Sequence, residues 1–190
     1  MRAAPPCGHI AGVYARSDAT HGVFKAPANE ELFDALDLEF PVSDAMQERL
    51  HTQGINCLRA FPGRGLRVWG ARTLSADSAW RYVNVRRLLL ALGRWVERNM
   101  SWAAFEPNAP RLWRRIQREL EVHLEQLWRR GALQGRSSAE AFYVKCDADT
   151  NPLDLRDQGN VQSEIGLAAV IPAEFLVVRI VHRPGAISLS

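Results

Sequence analysis

The residue types that carry out most enzyme chemistry are present in this chain, but they are scattered singly. Histidine, the commonest general base and metal ligand, occurs five times without a partner at ligand spacing. The three cysteines are odd in number and far apart, which argues against a disulfide framework and against a Cys-x-x-Cys site, so we expect free, mostly buried thiols. These residues are His9, His21, His51, His123 and His182, and Cys7, Cys57 and Cys146.

Two short patterns resemble ligand-binding motifs without completing them. Gly63-Arg64-Gly65 lacks the third glycine of a dinucleotide loop and falls between two strand-like runs, where a hairpin turn is the simpler interpretation. Asp147, Asp149 and Asp154 alternate like a metal-binding loop, but no EF-hand glycine or closing glutamate follows, which predicts a solvated loop. No P-loop, His-Glu-x-x-His or Gly-x-Ser-x-Gly motif occurs. The sequence therefore predicts no catalytic residue, no cofactor and no metal.

After these residue types, only the distribution of arginine and tryptophan suggests a binding surface. Residues 81–130 hold eleven arginines and five glutamates, whereas residues 30–48 are acidic. A chain with one basic and one acidic region can attract copies of itself, while a nucleic-acid-binding protein usually shows one unbalanced basic face. The tryptophans fall mostly within apolar periodicity, which favours core or subunit-interface packing over base stacking. They are Trp69, Trp80, Trp95, Trp102, Trp113 and Trp128.

Length and composition are those of an ordinary globular protein. The 190 residues, 47% hydrophobic and 24% charged, suit one domain that needs no disulfide or metal for stability. No apolar run reaches the ~20 residues that cross a bilayer, and the N-terminus lacks the apolar stretch of a signal peptide. We therefore expect synthesis in the cytoplasm and no membrane insertion.

Three helices are predicted from caps and apolar spacing. The first runs from Ser43 to Gln53, before Gly54. The second opens at Asn84 and continues to Met100, and the third has Asn108 as its N-cap and runs to Arg130. The spacing at residues 9–18 fits a short helix or a strand equally well, and both remain open.

The remaining apolar runs predict strands. Two runs within Ile55–Arg72 are joined by a glycine-rich connection and predict a β-hairpin. Residues 141–146, 161–171 and 174–182 predict three more strands, with a polar loop at residues 151–160. The order predicts an α+β fold, a mainly antiparallel sheet with two long helices packed on one face, plus extended terminal arms. We divide the chain into an N-terminal extension or linker (1–30), a core domain (31–183) and a C-terminal arm (184–190).

Several motifs in a fixed order resemble one protein family. The segment from Gly54 to Leu74, followed by Trp80 to Arg87, is similar to the signature block of contractile tail-sheath proteins. The similarity continues through Phe-Glu-Pro-Asn at residues 105–108, the segment 141–147 and Pro-Ala-Glu-Phe at residues 172–175. Residues 11–29 resemble the stretch that precedes this block. The motifs cover nearly the whole chain, which makes them more specific than any single one.

The resemblance implies a mechanical function rather than an enzymatic one. Sheath subunits of this family stack as hexameric rings around an inner tube and contract to drive the tube through a target envelope. The implied partners are other sheath subunits, the inner tail-tube protein and the baseplate, without specific nucleic acid. Family members carry a long region before the matching part, so we expect an isolated domain, a truncated product or a partial copy of a longer sheath, within a phage tail or phage-tail-like particle.

The resemblance also suggests roles for named residues. The candidates for tube contact are Arg111, Arg114, Arg115 and Arg118. The candidates for an arm that adds a strand to a neighbouring subunit are Val177, Val178, Ile180, Val181, His182 and Arg183. The glycines and tryptophan that build the central hairpin are Gly63, Gly65, Trp69 and Gly70. The alternatives to the sheath are a nucleic-acid-binding module that uses the arginine-rich helices and a small hydrolase with an unrecognised site.

Overall fold

The computed structural model describes residues 3–174, 180–183 and 186–189 of the chain. The helices are α1 (Cys7–Thr20), α2 (Asp44–Thr52), α3 (Val83–Asn99), α4 (Pro110–Arg129), α5 (Ser138–Ala141) and α6 (Leu153–Asp157). The strands are β1 (Glu30–Glu31), β2 (Cys57–Phe61), β3 (Gly65–Trp69), β4 (Phe142–Lys145), β5 (Glu164–Leu167), β6 (Ile180–Arg183) and β7 (Ala186–Leu189). Helices α2, α3 and α4 and strands β2 to β5 occur where the sequence predicts them, and the α+β class is confirmed. Helix α5 and strands β1 and β7 have no counterpart among the predicted elements. The predicted strand at residues 174–182 lies mostly outside the described residues, and its last three positions belong to β6.

The strands are distributed over three small sheets, which corrects the expectation of one sheet. In the described residues, β1, β3 and β2 form the first sheet in that order, β4 pairs with β5, and β6 pairs with β7, all antiparallel. The first two sheets pack on different helices, so their strands are stabilised without meeting at a common edge. Sequence patterns identify strands but not which strands share a sheet.

The first sheet packs on α1, which settles the ambiguity at residues 9–18 in favour of a helix. Val13 of α1 lies in a buried cluster with Leu32, Leu66 and Val68. Leu66 and Val68 alternate along β3, so one face of the strand is buried by period-two spacing. Helix α1 thus contributes to the core. The predicted division of the chain after residues 30 and 183 stays a prediction.

The second sheet packs on the two long helices. The apolar spacing of α4 predicts a buried stripe of Leu112, Ile116, Leu120, Leu124 and Leu127. The first four are buried, together with Trp113, and Leu127 is half-buried. They meet Leu92 of α3 and Val144 and Cys146 at β4 in one cluster. Each fully buried leucine of this kind stabilises the fold by roughly 1.5–3 kcal/mol.

The starts of the two long helices differ from the predictions. Helix α3 begins at Val83, and the buried Asn84 does not cap it: its Nδ2 donates to the Phe24 carbonyl at 2.9 Å and the Val170 carbonyl at 2.8 Å. The N-cap position of α4 is Ala109 rather than Asn108. The Asn108 side chain instead accepts from Trp113 Nε1 at 2.8 Å. Both amides bond to other parts of the fold, which sequence spacing does not reveal.

Two further predictions concern shorter segments. Helix α2 is confirmed, because Ser43 Oγ accepts from the Met46 N–H at 3.3 Å and Gly54 follows with φ of 75°. The polar loop at residues 151–160 contains α6, a correction. The helix follows Pro152, whose fixed φ suits the position before a first helical turn.

Candidate interaction surfaces

The four candidate tube-contact arginines lie together on the solvent face of α4. They are Arg111, Arg114, Arg115 and Arg118, all exposed. Because the leucine and isoleucine stripe of α4 is buried, the arginines occupy the opposite face and line an open groove with Trp102 and Pro107. Positive charge near a helix N-terminus opposes the macrodipole and costs a few tenths to ~1 kcal/mol. An acidic partner would remove that cost.

One arginine of this surface is held by an ion pair, and the other three are not. The guanidinium carbon of Arg115 lies 3.6 Å from the centroid of the Trp102 ring. Glu119 joins both residues, since its carboxylate lies 3.4 Å from Arg115 Nε and accepts from Trp102 Nε1 at 3.0 Å. Within the part of the chain that the structure describes, Arg111, Arg114 and Arg118 have no ion-pair partner, and Arg114 Nε donates to the Pro110 carbonyl at 3.3 Å. Arg111 and Arg118 therefore have the least engaged charges of the four.

Phe105, the first residue of the Phe-Glu-Pro-Asn motif, lies in the same region. Its side chain is fully exposed, and its backbone has φ of 66°, in the left-handed region. This conformation is unfavourable for a bulky residue by roughly 1–2 kcal/mol. Glu106 and Pro107 follow it directly and line the arginine groove. The motif pointed to the family, but the exposure and backbone angle of Phe105 are evident only in the structure.

The predicted hairpin is present, and its glycines have the expected conformations. Gly63 and Gly65 have φ of 70° and 72°, and Gly70 has φ of 143°. A Cβ added at Gly65 would lie 2.8 Å from Glu31 Oε1. Trp69 is half-buried and its ring centroid lies 4.5 Å from that of Phe61. Glycine therefore allows the positive φ at each of these positions. At Gly65 it also leaves room for Glu31 of β1.

A buried carboxylate anchors the chain just before the C-terminal segment. Glu174 accepts from Arg72 Nε at 2.9 Å and from Arg72 Nη2 at 2.5 Å, and from the Tyr82 hydroxyl at 3.2 Å. His51 Nε2 lies 3.3 Å from the same carboxylate. Burial raises the pKa of Glu174, but the hydrogen bonds and charge of Arg72, with His51 and Tyr82, outweigh it and hold that pKa below its ordinary value. Distant residues in the sequence build this anchor, so spacing did not identify it.

The C-terminal arm residues are partly described. Val177 and Val178 lie outside the described residues. The backbone of Ile180–Arg183 forms β6 and pairs with β7, in the register Ile180 to Leu189 and Arg183 to Ala186. Among the described strands, β6 and β7 pair with each other and with none of the other five. This arrangement leaves the arm role a prediction.

The scattered histidine and aspartate residues form no metal site among the residues that are described. His123 stacks on Trp95, with ring centroids 3.9 Å apart and planes at 6°, and burial, with a smaller contribution from the charge of Arg130, lowers its pKa. Asp147 Oδ1 accepts from the Asp149 and Thr150 amides at 3.0 and 3.1 Å, the geometry of an aspartate turn. Within the described ranges, no helix is long and apolar enough to span a membrane.

Two sequence models of one family match successive parts of the chain. Residues 1–74 match the phage tail sheath protein central domain, and residues 75–183 match the phage tail sheath C-terminal domain. The tail sheath protein of Salmonella phage ViI is 28% identical over 159 residues, which are 82% of this chain and 24% of that protein.

Solved structures give a closer similarity. A chain in the cryo-EM structure of the anti-feeding prophage baseplate is 40% identical with a TM-score of 0.90, over 95% of this chain and 51% of that chain. A chain in the contracted sheath complex of the extracellular contractile injection system PVC is also 40% identical with a TM-score of 0.90, over 94% and 51%. The chain thus spans about half the length of these two solved chains and about a quarter of the phage protein.

Proposed function

The chain belongs to the phage tail sheath protein family, and from this membership we propose that it is a structural subunit of a contractile tail sheath. In this proposal, copies polymerise as stacked hexameric rings around an inner tube. Contraction of the polymer then drives the tube through a target envelope. The observation that carries the proposal is the 40% identity and TM-score of 0.90 to a chain of a contracted sheath complex.

The proposed partners are further copies of the subunit, the inner tube protein and the baseplate. The similarity to chains in a sheath complex and in a baseplate supports this set. The relatives give no support to the nucleic-acid-binding alternative. We place the protein in a phage tail or tail-like particle made in the bacterial cytoplasm, and propose no turnover and no cofactor.

The α4 arginines support contact with the tube. Arg111 and Arg118 are exposed cations without an ion-pair partner in the described chain. Arg111 lies in the first turn of α4, where the helix N-terminus favours an acidic neighbour. Arg115 is already ordered by Trp102 and Glu119, so less side-chain entropy is lost when it binds. The contact predicts binding to the tube that weakens with added salt.

The C-terminal segment supports a second kind of contact, between subunits. Glu174, the last residue described before this segment, is held on the core by hydrogen bonds from Arg72 and from Tyr82. Strands β6 and β7 then form a hairpin that does not pair with the other described strands. An unpaired strand edge is a template for another chain, which fits strand exchange between neighbouring subunits.

Electron microscopy tests the proposal directly. The purified chain is imaged alone and after incubation with the inner tube protein of the same particle, and we expect rings or striated cylinders in the second sample. Substitution of Arg111 and Arg118 by Glu should reduce co-sedimentation with the tube, while Asp154→Arg with Asp157→Arg on α6 should not. A wild-type chain that neither binds the tube nor forms rings would contradict the function.

A further inference from the structure

The segment between β1 and α2 presents large apolar side chains to solvent. They are Phe33, Leu36 and Phe40, which are 55%, 79% and 73% exposed. The residues between them turn inward: Leu32 is buried and Ala35 and Leu38 pack against the first core. Every third side chain therefore packs on the core and holds the segment in place. Its exposed apolar groups have defined positions for that reason.

Acidic residues alternate with these apolar groups. Asp34, Asp37 and Glu39 are exposed, and no ion pair to them occurs in the described chain. The Asp37 carboxylate accepts from the Leu38 amide at 2.8 Å. The guanidinium carbon of Arg16 lies 4.2 Å from the centroid of the Phe33 ring and covers one of its faces. We call residues 33–40 the acidic-aromatic segment.

The outward face of α3 has the opposite charge. Arg86, Leu90 and Arg94 follow each other at four-residue spacing, so they lie on one face of the helix, and all three are exposed. Arg86 is ordered over the Trp80 ring, at 4.7 Å from its centroid. Arg94 has no ion-pair partner within the described residues. Glu97 and Arg98 continue this face with no net charge of their own. We call Arg86, Leu90 and Arg94 the α3 stripe.

We propose that the acidic-aromatic segment of one copy docks on the α3 stripe of a second copy. Both surfaces combine exposed apolar groups with unpaired charges of opposite sign, and no ion pair joins them within one chain. Contact between two different patches is head-to-tail and leaves one of each free, so it extends a polymer instead of closing a dimer. The inference rests on the proposed function, because it names a contact by which sheath subunits join.

The size of the segment sets the strength of the contact. Eight residues cover less than the roughly 20–30 residues a side of a stable interface. The contact is therefore weak between two free copies and is reinforced when many copies are joined in a sheath. Because charge contributes much of it, the contact weakens as salt shortens the Debye length below about 10 Å.

Charge exchange tests the pairing. Sedimentation velocity of the full chain at low ionic strength and rising concentration should show reversible association that added salt weakens. Asp37→Arg with Glu39→Arg, or Arg86→Glu with Arg94→Glu, should each reduce the association constant at least about tenfold. The four substitutions in one chain restore opposite charges at the junction and should recover association to within about threefold of wild type.

Two control variants match these changes in net charge. Asp154→Arg with Asp157→Arg on α6 matches the acidic pair. Arg49→Glu on α2 with Arg136→Glu before α5, both exposed, matches the basic pair. Both control variants should leave association within about twofold of wild type. If circular dichroism shows that a charge variant is unfolded, an apolar variant of the same surface replaces it. The double variant Leu36→Ala with Phe40→Ala replaces the one on the acidic-aromatic segment, and Leu90→Ala replaces the one on the α3 stripe. We expect each to weaken association.

Three results would overturn the pairing. The first is a wild-type sedimentation coefficient that does not change with concentration. The second is an equal loss of association in the control variants. The third is a chain with all four substitutions whose association does not recover. The electron microscopy experiment separates this inference from the function. Cylinders built equally well by the charge variants would refute the docking alone, whereas recovered association in solution without any tube binding or rings would refute the sheath function alone.

Discussion

Glu174 shows how one side chain joins separate parts of the fold. Its partners are Arg72 after β3, Tyr82 before α3 and His51 in α2. The side chains of Arg72 and Glu174 are only 16% and 14% exposed, so the pair is shielded from most of the screening that weakens surface ion pairs. Removing one partner would leave the other charge partly buried and unpaired.

This anchor predicts a pH dependence of stability. The pKa of Glu174 in the folded chain lies below its ordinary value, so its contribution is fully present above the ordinary pKa and is lost as pH falls through the folded-state pKa. At neutral pH, Glu174→Gln should lower the free energy of unfolding by about 1–2 kcal/mol. The difference from wild type should shrink in acid, as measured by thermal unfolding. Glu106→Gln, an exposed carboxyl, is the control, and a constant difference at all pH values would contradict the prediction.

The two turn glycines of the hairpin separate backbone strain from steric contact. Both have φ near 70°, but a Cβ has no atom within 4 Å at Gly63 and lies 2.8 Å from Glu31 Oε1 at Gly65. Gly63→Val should cost about 1–2 kcal/mol from the left-handed backbone, and Gly65→Val should cost more. Urea unfolding measures both. Equal losses would mean that Glu31 moves aside freely, and unchanged stability would contradict the assigned turn.

At the scale of elements, Asn84 joins α3 to two distant segments. Its Nδ2 donates to the carbonyls of Phe24 and Val170, so one buried amide satisfies two backbone acceptors. Asn84→Ala should destabilise the chain by about 2 kcal/mol, because both carbonyls would remain buried without this donor. Asn99→Ala, at the exposed end of the same helix, should cost less than about 0.5 kcal/mol. Thermal unfolding of both variants compares them, and equal effects would show that the bridge contributes nothing specific.

We expect the pair β6–β7 to act through a neighbouring subunit. It pairs internally and not with the other described strands. Deleting His182–Ser190 should therefore leave the core folded while removing the proposed link between subunits. Circular dichroism should show an unchanged core, and sedimentation should show loss of polymerisation. A truncated chain that unfolds, or one that still forms sheaths together with the full chain, would contradict the arm role.

At the scale of the whole molecule, charge is arranged in separate regions. The α4 arginines, the α3 stripe and the acidic-aromatic segment lie on different elements, and most of their charges have no ion-pair partner in the described chain. Such a molecule has charged surfaces for more than one contact, as a subunit of a helical polymer requires. We therefore expect the purified chain to be sensitive to salt in both tube binding and self-association, which co-sedimentation across a salt series would measure. Salt-independent behaviour in both assays would contradict these contacts.

The sequence by itself determined the three longer predicted helices, the β-hairpin and the family. Caps such as Ser43, the four-residue apolar spacing in α4 and the glycine-rich turn at Gly63 act locally, so their outcome follows from neighbouring residues. The ordered motifs were enough to identify the family, because each constrains a different part of the chain.

Only the tertiary structure decided which parts meet. Asn84 was predicted to open a helix and is a buried bridge. Glu174 was part of a family motif and a predicted strand, and it is an anchor for Arg72. The division into three sheets and the exposure of Phe33, Leu36 and Phe40 also depend on contacts between distant segments. Side-chain partners far apart in sequence are fixed by packing and burial, and these have no signature in residue spacing.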